Sequence, residues 1–108
     1  MPSVYKPPTP LSPEVRGAIA VFNVNLLRAN IVRDLSMRPE GDTTGNVAKR
    51  LEVDYRQVYA HFRALMKEGL VTADPSGSES NGRRVIYRIS PEKLQEMASI
   101  YIKFLVGE

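Results

Sequence analysis

Two helix starts and one firm helix stop fall within a short stretch in the middle of this chain, and they constrain its fold more than any other feature. Thr43 offers a side-chain acceptor ahead of the apolar set Val47, Ala48 and Leu51, which predicts a short helix over 44–51. A complete capping box would place Glu or Gln at position 46, and Asn46 is a weaker substitute. After a tight turn at Glu52 and Val53, Asp54 offers a second cap to a helix running to about Glu68. Gly69 ends that helix, and Leu70 can fold back onto Leu65 in a Schellman arrangement.

The flanking segments carry equally local signals. Residues 1–12 hold Pro2, Pro7, Pro8 and Pro10 and read as an extended arm that need not be ordered. Ser12-Pro13-Glu14 is a helix start, with Ser as cap and Pro at the first helical position. Val15, Ala18, Ile19 and Phe22 then form one apolar stripe. Asn23 and Asn25 interrupt it, and Asn25 can cap a following stretch with Leu27, Ile31 and Leu35 on one face. The pattern fits one bent helix or two. Pro39-Glu40-Gly41-Asp42 breaks the periodicity.

Downstream, 70–73 and 84–89 read as strands, the second with Val85, Tyr87 and Ile89 on one face. Residues 74–82 between them are almost all turn formers, so the pair is a β-hairpin with a long tip. Ser90-Pro91-Glu92 repeats the earlier start triplet and opens a final helix to about Val106. The expected fold is mainly α with a small β-hairpin, in the order α-α-α-α-β-β-α over residues 13–108. That is the layout of a winged helix-turn-helix.

A chain of 108 residues fits one such domain and leaves no room for a separate enzyme or ligand domain. There is no cysteine, which excludes disulfides, thiolate metal sites and cysteine nucleophiles and agrees with a reducing cytoplasm. The longest apolar run, 18–22, is too short to cross a bilayer, and the proline-rich start is not a signal peptide, so the expected location is cytoplasmic, with no membrane partner. No glycine-rich phosphate loop, nucleophile–histidine–acid set or metal-ligand spacing occurs, so neither an enzyme, a cofactor nor a metal is expected. His61 has no second histidine or cysteine beside it and reads as a hydrogen-bonded structural residue.

The net charge of +3 is unevenly placed. Residues 49–88 hold eight basic and five acidic side chains, and the rest of the chain is neutral. On the helix after Asp54, Val58, Phe62 and Leu65 mark the buried face; the opposite face presents Arg56, Tyr59, Ala60, Arg63 and Lys67. Guanidinium groups can grip guanine edges or phosphates, and a small residue such as Ala60 lets the helix approach closely. Gln57, near the helix N-terminus, is a candidate adenine reader. Arg83 and Arg84 close the hairpin and read as backbone or minor-groove contacts, and Thr44 sits where a helix N-terminus could meet a phosphate.

Beyond these local patterns, residues 28–89 resemble the ArsR-like family of winged-helix regulators. Arg28, Ile31 and Leu35 match, as do Thr43, Val47, Ala48 and Leu51. So do Val53, Asp54, Val58, His61, Phe62 and Leu65, then Gly69-Leu70-Val71 and the run from Gly82 to Ile89. The resemblance spans a little over half the chain, and much of it is a core pattern shared with MarR-like families. It implies a homodimer on double-stranded DNA, acting as a transcriptional regulator and usually as a repressor. Two departures stand out. The family's metal sensors use cysteines or His–acid clusters, which this chain lacks. The turn position usually held by glycine is Glu52, at a cost of about 1 kcal/mol if it is left-handed.

Surplus apolar residues on the terminal helices are the sequence signal for a dimer. Val21 and Val24 lie off the first stripe. On the last helix Leu94, Met97, Ala98, Tyr101 and Leu105 form one stripe suited to the domain's own core, and Ile100, Ile102, Phe104 and Val106 widen the apolar arc beyond it. The expected interface is Val21, Val24, Ile100, Tyr101, Phe104 and Leu105. Two readings compete with transcription regulation. One is a winged helix that docks onto a protein; the other is DNA binding for replication or partition.

Overall fold

A side-chain oxygen starts every helix. The computed structural model describes residues 5–75 and 84–108. Ser12 accepts the Val15 amide at 3.3 Å to open α1 (Pro13–Phe22), and Asn25 accepts the Arg28 amide at 2.9 Å to open α2 (Leu26–Ser36). Thr43 accepts from Asn46 at the head of α3 (Thr44–Leu51), and Asp54 from Arg56 at the head of α4 (Tyr55–Lys67). Ser90 does the same for α5 (Pro91–Leu105), accepting from Lys93 at 3.2 Å. Each cap satisfies one amide that the first turn leaves without an intrahelical partner. The axes of α1 and α2 turn through 92° at Asn23–Asn25, so the interrupted stripe is two helices.

The ends of α3 and α4 are built alike. After α4, the Leu70 amide donates to the Leu65 carbonyl at 3.0 Å and the Gly69 amide to Met66 at 3.0 Å, with Gly69 at φ +79°. After α3, Val53 donates to Ala48 at 3.1 Å and Glu52 to Lys49 at 3.3 Å. Both are Schellman endings, and in the second a glutamate stands at φ 57° where glycine is usual.

Strands β1 (Val71–Asp74) and β2 (Ile86–Ile89) pair antiparallel, from Val71 opposite Ile89 to Asp74 opposite Ile86. Both are shifted from the expected spans. Leu70 is fully buried as part of the α4 ending, and Arg84 and Val85 lead into β2 without ladder pairs. Tyr87 is the buried member of the expected β2 face, with Val85 and Ile89 half-buried against the core. A third piece of strand comes from the Pro39–Asp42 break. Asp42 and Tyr87 exchange both backbone bonds, at 3.0 and 2.8 Å. Gly41 makes this approach possible: it sits at φ +80°, and a Cβ there would lie 2.4 Å from the Tyr87 carbonyl oxygen.

The core gathers Ile31 and Leu35 of α2, Val47 of α3, and Val58, Phe62 and Leu65 of α4. Phe62 lies against Tyr87, with ring centroids 4.5 Å apart. Burying each such side chain stabilises the fold by about 1.5–3 kcal/mol, so this cluster fixes α4 between α3 and the hairpin.

The terminal helices α1 and α5 pack on each other, with Phe22 stacked on Tyr101 at 5.5 Å. Here one expectation is corrected. Val21 is 1% exposed and belongs to the domain's own core, so it has no surface to offer a second copy. The buried side of α1 is centred on Ala18 and Val21 rather than on Ala18 and Ile19, because α5 covers the helix from that side. Tyr101 and Ile100 are half-buried, whereas Val24, Phe104 and Leu105 are exposed. Among the described residues no single helix is long and apolar enough to cross a membrane.

Candidate nucleic-acid interface

The α3–α4 turn decides which side of α4 meets solvent. With Val58, Phe62 and Leu65 buried, Arg56, Gln57, Tyr59, Ala60, Arg63 and Lys67 all face outward, as helical periodicity requires. Thr44 is half-buried, and it lines the same cleft as Tyr87. Burial pushes the Tyr87 phenol's pKa up, against the opposing effect of the Thr44 hydroxyl. Arg84 is exposed at the start of the hairpin's second arm; Arg83 lies outside the described residues.

Three elements meet around one open cleft of about 430 Å³. The first turn of α3 supplies Thr44 and Gly45, α4 supplies Tyr55 and Tyr59, and the hairpin supplies Arg84 and Val85. Tyr55 and Tyr59 are 60% and 43% exposed, so the rim is aromatic with a guanidinium beside it. The cleft brings together Thr44, Tyr59 and Arg84 of the expected set, and Arg56, Gln57, Ala60, Arg63 and Lys67 extend from it along α4.

The basic residues differ in what already holds them. Arg56 folds back on the cap of its own helix, with Nε and Nη2 donating to the two Asp54 carboxylate oxygens at 3.1 and 3.0 Å. The Arg56 side chain, ahead of its amide, holds the Asp54 carboxyl below the usual range. Among the described residues no carboxylate lies within ion-pair distance of Arg63 or Lys67. Arg88, counted in the basic segment, lies 3.7 Å from Asp74 across the hairpin.

Sequence reasoning missed a polar tie that joins α2, α3 and the segment at Asp42. Arg50 of α3 donates from Nε and Nη2 to both oxygens of Asp34 on α2, at 3.1 and 2.8 Å, and from Nη1 to Asp42 at 2.7 Å. Asp34 is 5% exposed and also accepts from Arg38 at 3.1 Å. Asp42 Oδ1 accepts the Thr43 amide and the Asn46 side chain, both at 2.8 Å. Asn46 thus serves Asp42, and Asp42 takes the Thr43 amide that Glu at 46 would have bonded. Burial raises the Asp42 pKa, but these bonds and Arg50 outweigh it and hold the carboxyl below its ordinary value. An acid sixteen residues before Arg50 gives no local pattern to read.

A second tie surrounds the single histidine. His61, on the flank of α4, accepts at Nδ1 a bond of 2.6 Å from Arg28 Nε of α2. Burial, then the neighbouring Arg28 charge, lowers the His61 pKa. Among the described residues no three His, Asp or Glu side chains are grouped to hold a metal ion.

Comparison with known proteins agrees with this geometry. A family model described as a winged helix DNA-binding domain matches residues 24–92. Among solved structures, a protein of Methanosarcina mazei Go1 described as a possible transcriptional regulator superposes with a TM-score of 0.65. It is 15% identical in sequence, over 84% of this chain and 78% of the other, a likeness of fold. No curated protein matches the chain.

Proposed function

The chain belongs to the winged helix DNA-binding domain family, and we propose that it is a sequence-specific regulator of transcription that binds double-stranded DNA as a homodimer. In this reading α4 enters the major groove. Arg63, Arg56, Tyr59, Ala60 and Gln57 meet base edges, while Thr44, Lys67, Arg83 and Arg84 meet the backbone. The observation that carries it is the convergence of the α3 start, the outward face of α4 and the hairpin on one cleft, beside two basic residues of α4 without ion-pair partners among the described residues. The Methanosarcina protein's description as a possible transcriptional regulator supports the same role. Repression in the manner of ArsR-like proteins follows from the sequence resemblance, and a cytoplasmic location is proposed from the lack of cysteine and of a long apolar run. Residues 13–108 would form the domain and 1–12 an arm.

Selection of bound fragments from random duplex DNA tests this directly. One enriched inverted repeat is the expected result, and no enrichment over input would overturn it. The exposed aromatic rim of Tyr55 and Tyr59 favours a second reading, a protein-docking face, because aromatic residues are enriched at protein interfaces. Failure of selection would leave that one standing.

For the homodimer, Val24, Ile100, Tyr101, Phe104 and Leu105 supply the proposed surface, helped by Ile102 and Val106, which are 59% and 64% exposed. Phe104→Asp should give a folded monomer that binds duplex at least about tenfold more weakly, since one half-site contact is lost. Sedimentation of the wild-type chain as a monomer at micromolar concentration would refute the interface.

A further inference from the structure

Arg28 is 7% exposed and permanently charged, yet the groups that hold it are neutral. Its Nε donates to His61 Nδ1 at 2.6 Å, and its Nη1 donates to the Ala20 carbonyl at 2.8 Å. Among the described residues no carboxylate comes within ion-pair distance of it; Glu68, the last-turn cap of α4, acts on it from farther away. Ala20 contributes one of the last four carbonyls of α1, and α1 has no basic residue in its own last turn. Arg28 therefore supplies the cation that this helix end lacks, and with the same guanidinium grips α4. The end of α1, the first turn of α2 and the middle of α4 meet at one side chain.

This arrangement exists in one protonation state only. Arginine keeps its protons, so the bond requires His61 Nδ1 to be bare and its proton to sit on Nε2. A proton on Nδ1 removes the acceptor and brings two cations into contact. We infer that Arg28 is a positioning residue that holds α4 against the end of α1 through His61, and that protonation of His61 releases α4 and weakens its grip on DNA.

The DNA consequence rests on the function proposed above; the latch itself does not. His61 lies on α4 beside Ala60 and two residues from Arg63, so a movement of α4 at this contact carries its outward face with it. The groups facing the pair are Arg28 from α2, the Ala20 carbonyl from α1 and, toward Arg28, Glu68 of α4. The imidazole pKa is lowered by burial and by Arg28. A depressed histidine contributes its stabilisation above the unfolded value of about 6.5 and loses it as pH falls toward the folded value. The latch is whole at neutral pH and opens in mild acid.

One histidine makes the test unambiguous. In the ¹⁵N spectrum of imidazole-labelled full-length protein, the neutral ring should be the Nε2–H tautomer, with a titration midpoint below about 6.5. The Val21 amide, bonded through the Ala20 peptide unit, should shift with the same midpoint. A midpoint at the ordinary value with no tautomer preference, or a Val21 signal indifferent to it, overturns the latch. Binding to a labelled duplex of mixed sequence is then followed from pH 7.5 to 5.5. Relative to His61→Gln, whose amide oxygen still accepts from Arg28 but gains no proton, the wild type should lose about fivefold in affinity. Parallel profiles overturn the link to DNA. Absence of binding by both proteins at every pH overturns the DNA reading instead, and the imidazole and Val21 signals then decide the positioning role alone.

Discussion

Arginines at the α2–α3 junction and arginines along α4 carry the same charge in opposite surroundings. Arg50 spends its guanidinium on Asp34 and Asp42, one of them almost fully buried, and so ties α3 to α2 and to the segment that joins the hairpin. Arg63 has no carboxylate within ion-pair distance among the described residues and points to solvent. The difference is set by counter-charges that arrive from elsewhere in the chain. A count of basic residues along the sequence locates a segment, but only neighbours in space decide which charges remain for a polyanion. Arg56 stands between the two cases, exposed but already gripped by the cap of its own helix.

The comparison can be broken most easily at Asp34. Asp34→Ala leaves Arg50 and Arg38 without a shared acceptor, and denaturant unfolding should register a loss of about 2 kcal/mol. That lies below the 3–5 kcal/mol typical of a buried pair because Arg50 is itself 31% exposed in its side chain. Unchanged stability would mean that the tie is decorative. Arg63→Ala should behave in the reverse way, with duplex binding weakened by about 1–3 kcal/mol and stability moved by less than about 0.5 kcal/mol. Arg56→Ala should cost less binding than Arg63→Ala, because its guanidinium must first leave Asp54. Equal losses in a side-by-side titration would show that the Asp54 contact does not restrain it.

A smaller effect, of opposite sign, is expected at the turn between the two helices. Glu52→Gly should raise stability by about 1 kcal/mol, since the residue is left-handed and glycine adopts that conformation without steric penalty. A destabilised variant would reveal a contact of the Glu52 side chain that outweighs the backbone strain. The smallest change belongs to Arg84→Ala. It should lower the slope of log affinity against log salt by about one, the signature of one lost phosphate contact. A wild-type slope would remove the hairpin's described arm from the backbone.

Local chemistry made much of this molecule legible. Ser12, Asn25, Thr43, Asp54 and Ser90 each cap the helix expected of them, and Gly69 with Leu70 closes α4 as its composition implies. These devices act within a few residues, so a linear reading captures them. The outward face of α4 was legible for the same reason, being the complement of Val58, Phe62 and Leu65. The pairing of Asp42 with Tyr87 was not, since one residue of strand has no periodicity. Nor was the burial of Val21, because the apolar residues of α1 spread around more of the helix than one stripe and the packing of α5 selects among them.

The sequence by itself determined the capping residues, the ends of α3 and α4, and which side of α4 is apolar, because capping, turn formation and amphipathic period are properties of neighbouring residues. Whether 13–36 is one bent helix or two was left to the packing. Only the tertiary structure decided which charged groups are spent inside the fold. Arg50 meets Asp34 and Arg28 meets His61 across sixteen and thirty-three residues of chain. Coulombic and hydrogen-bond partners at such separations are chosen by packing, which no local pattern encodes.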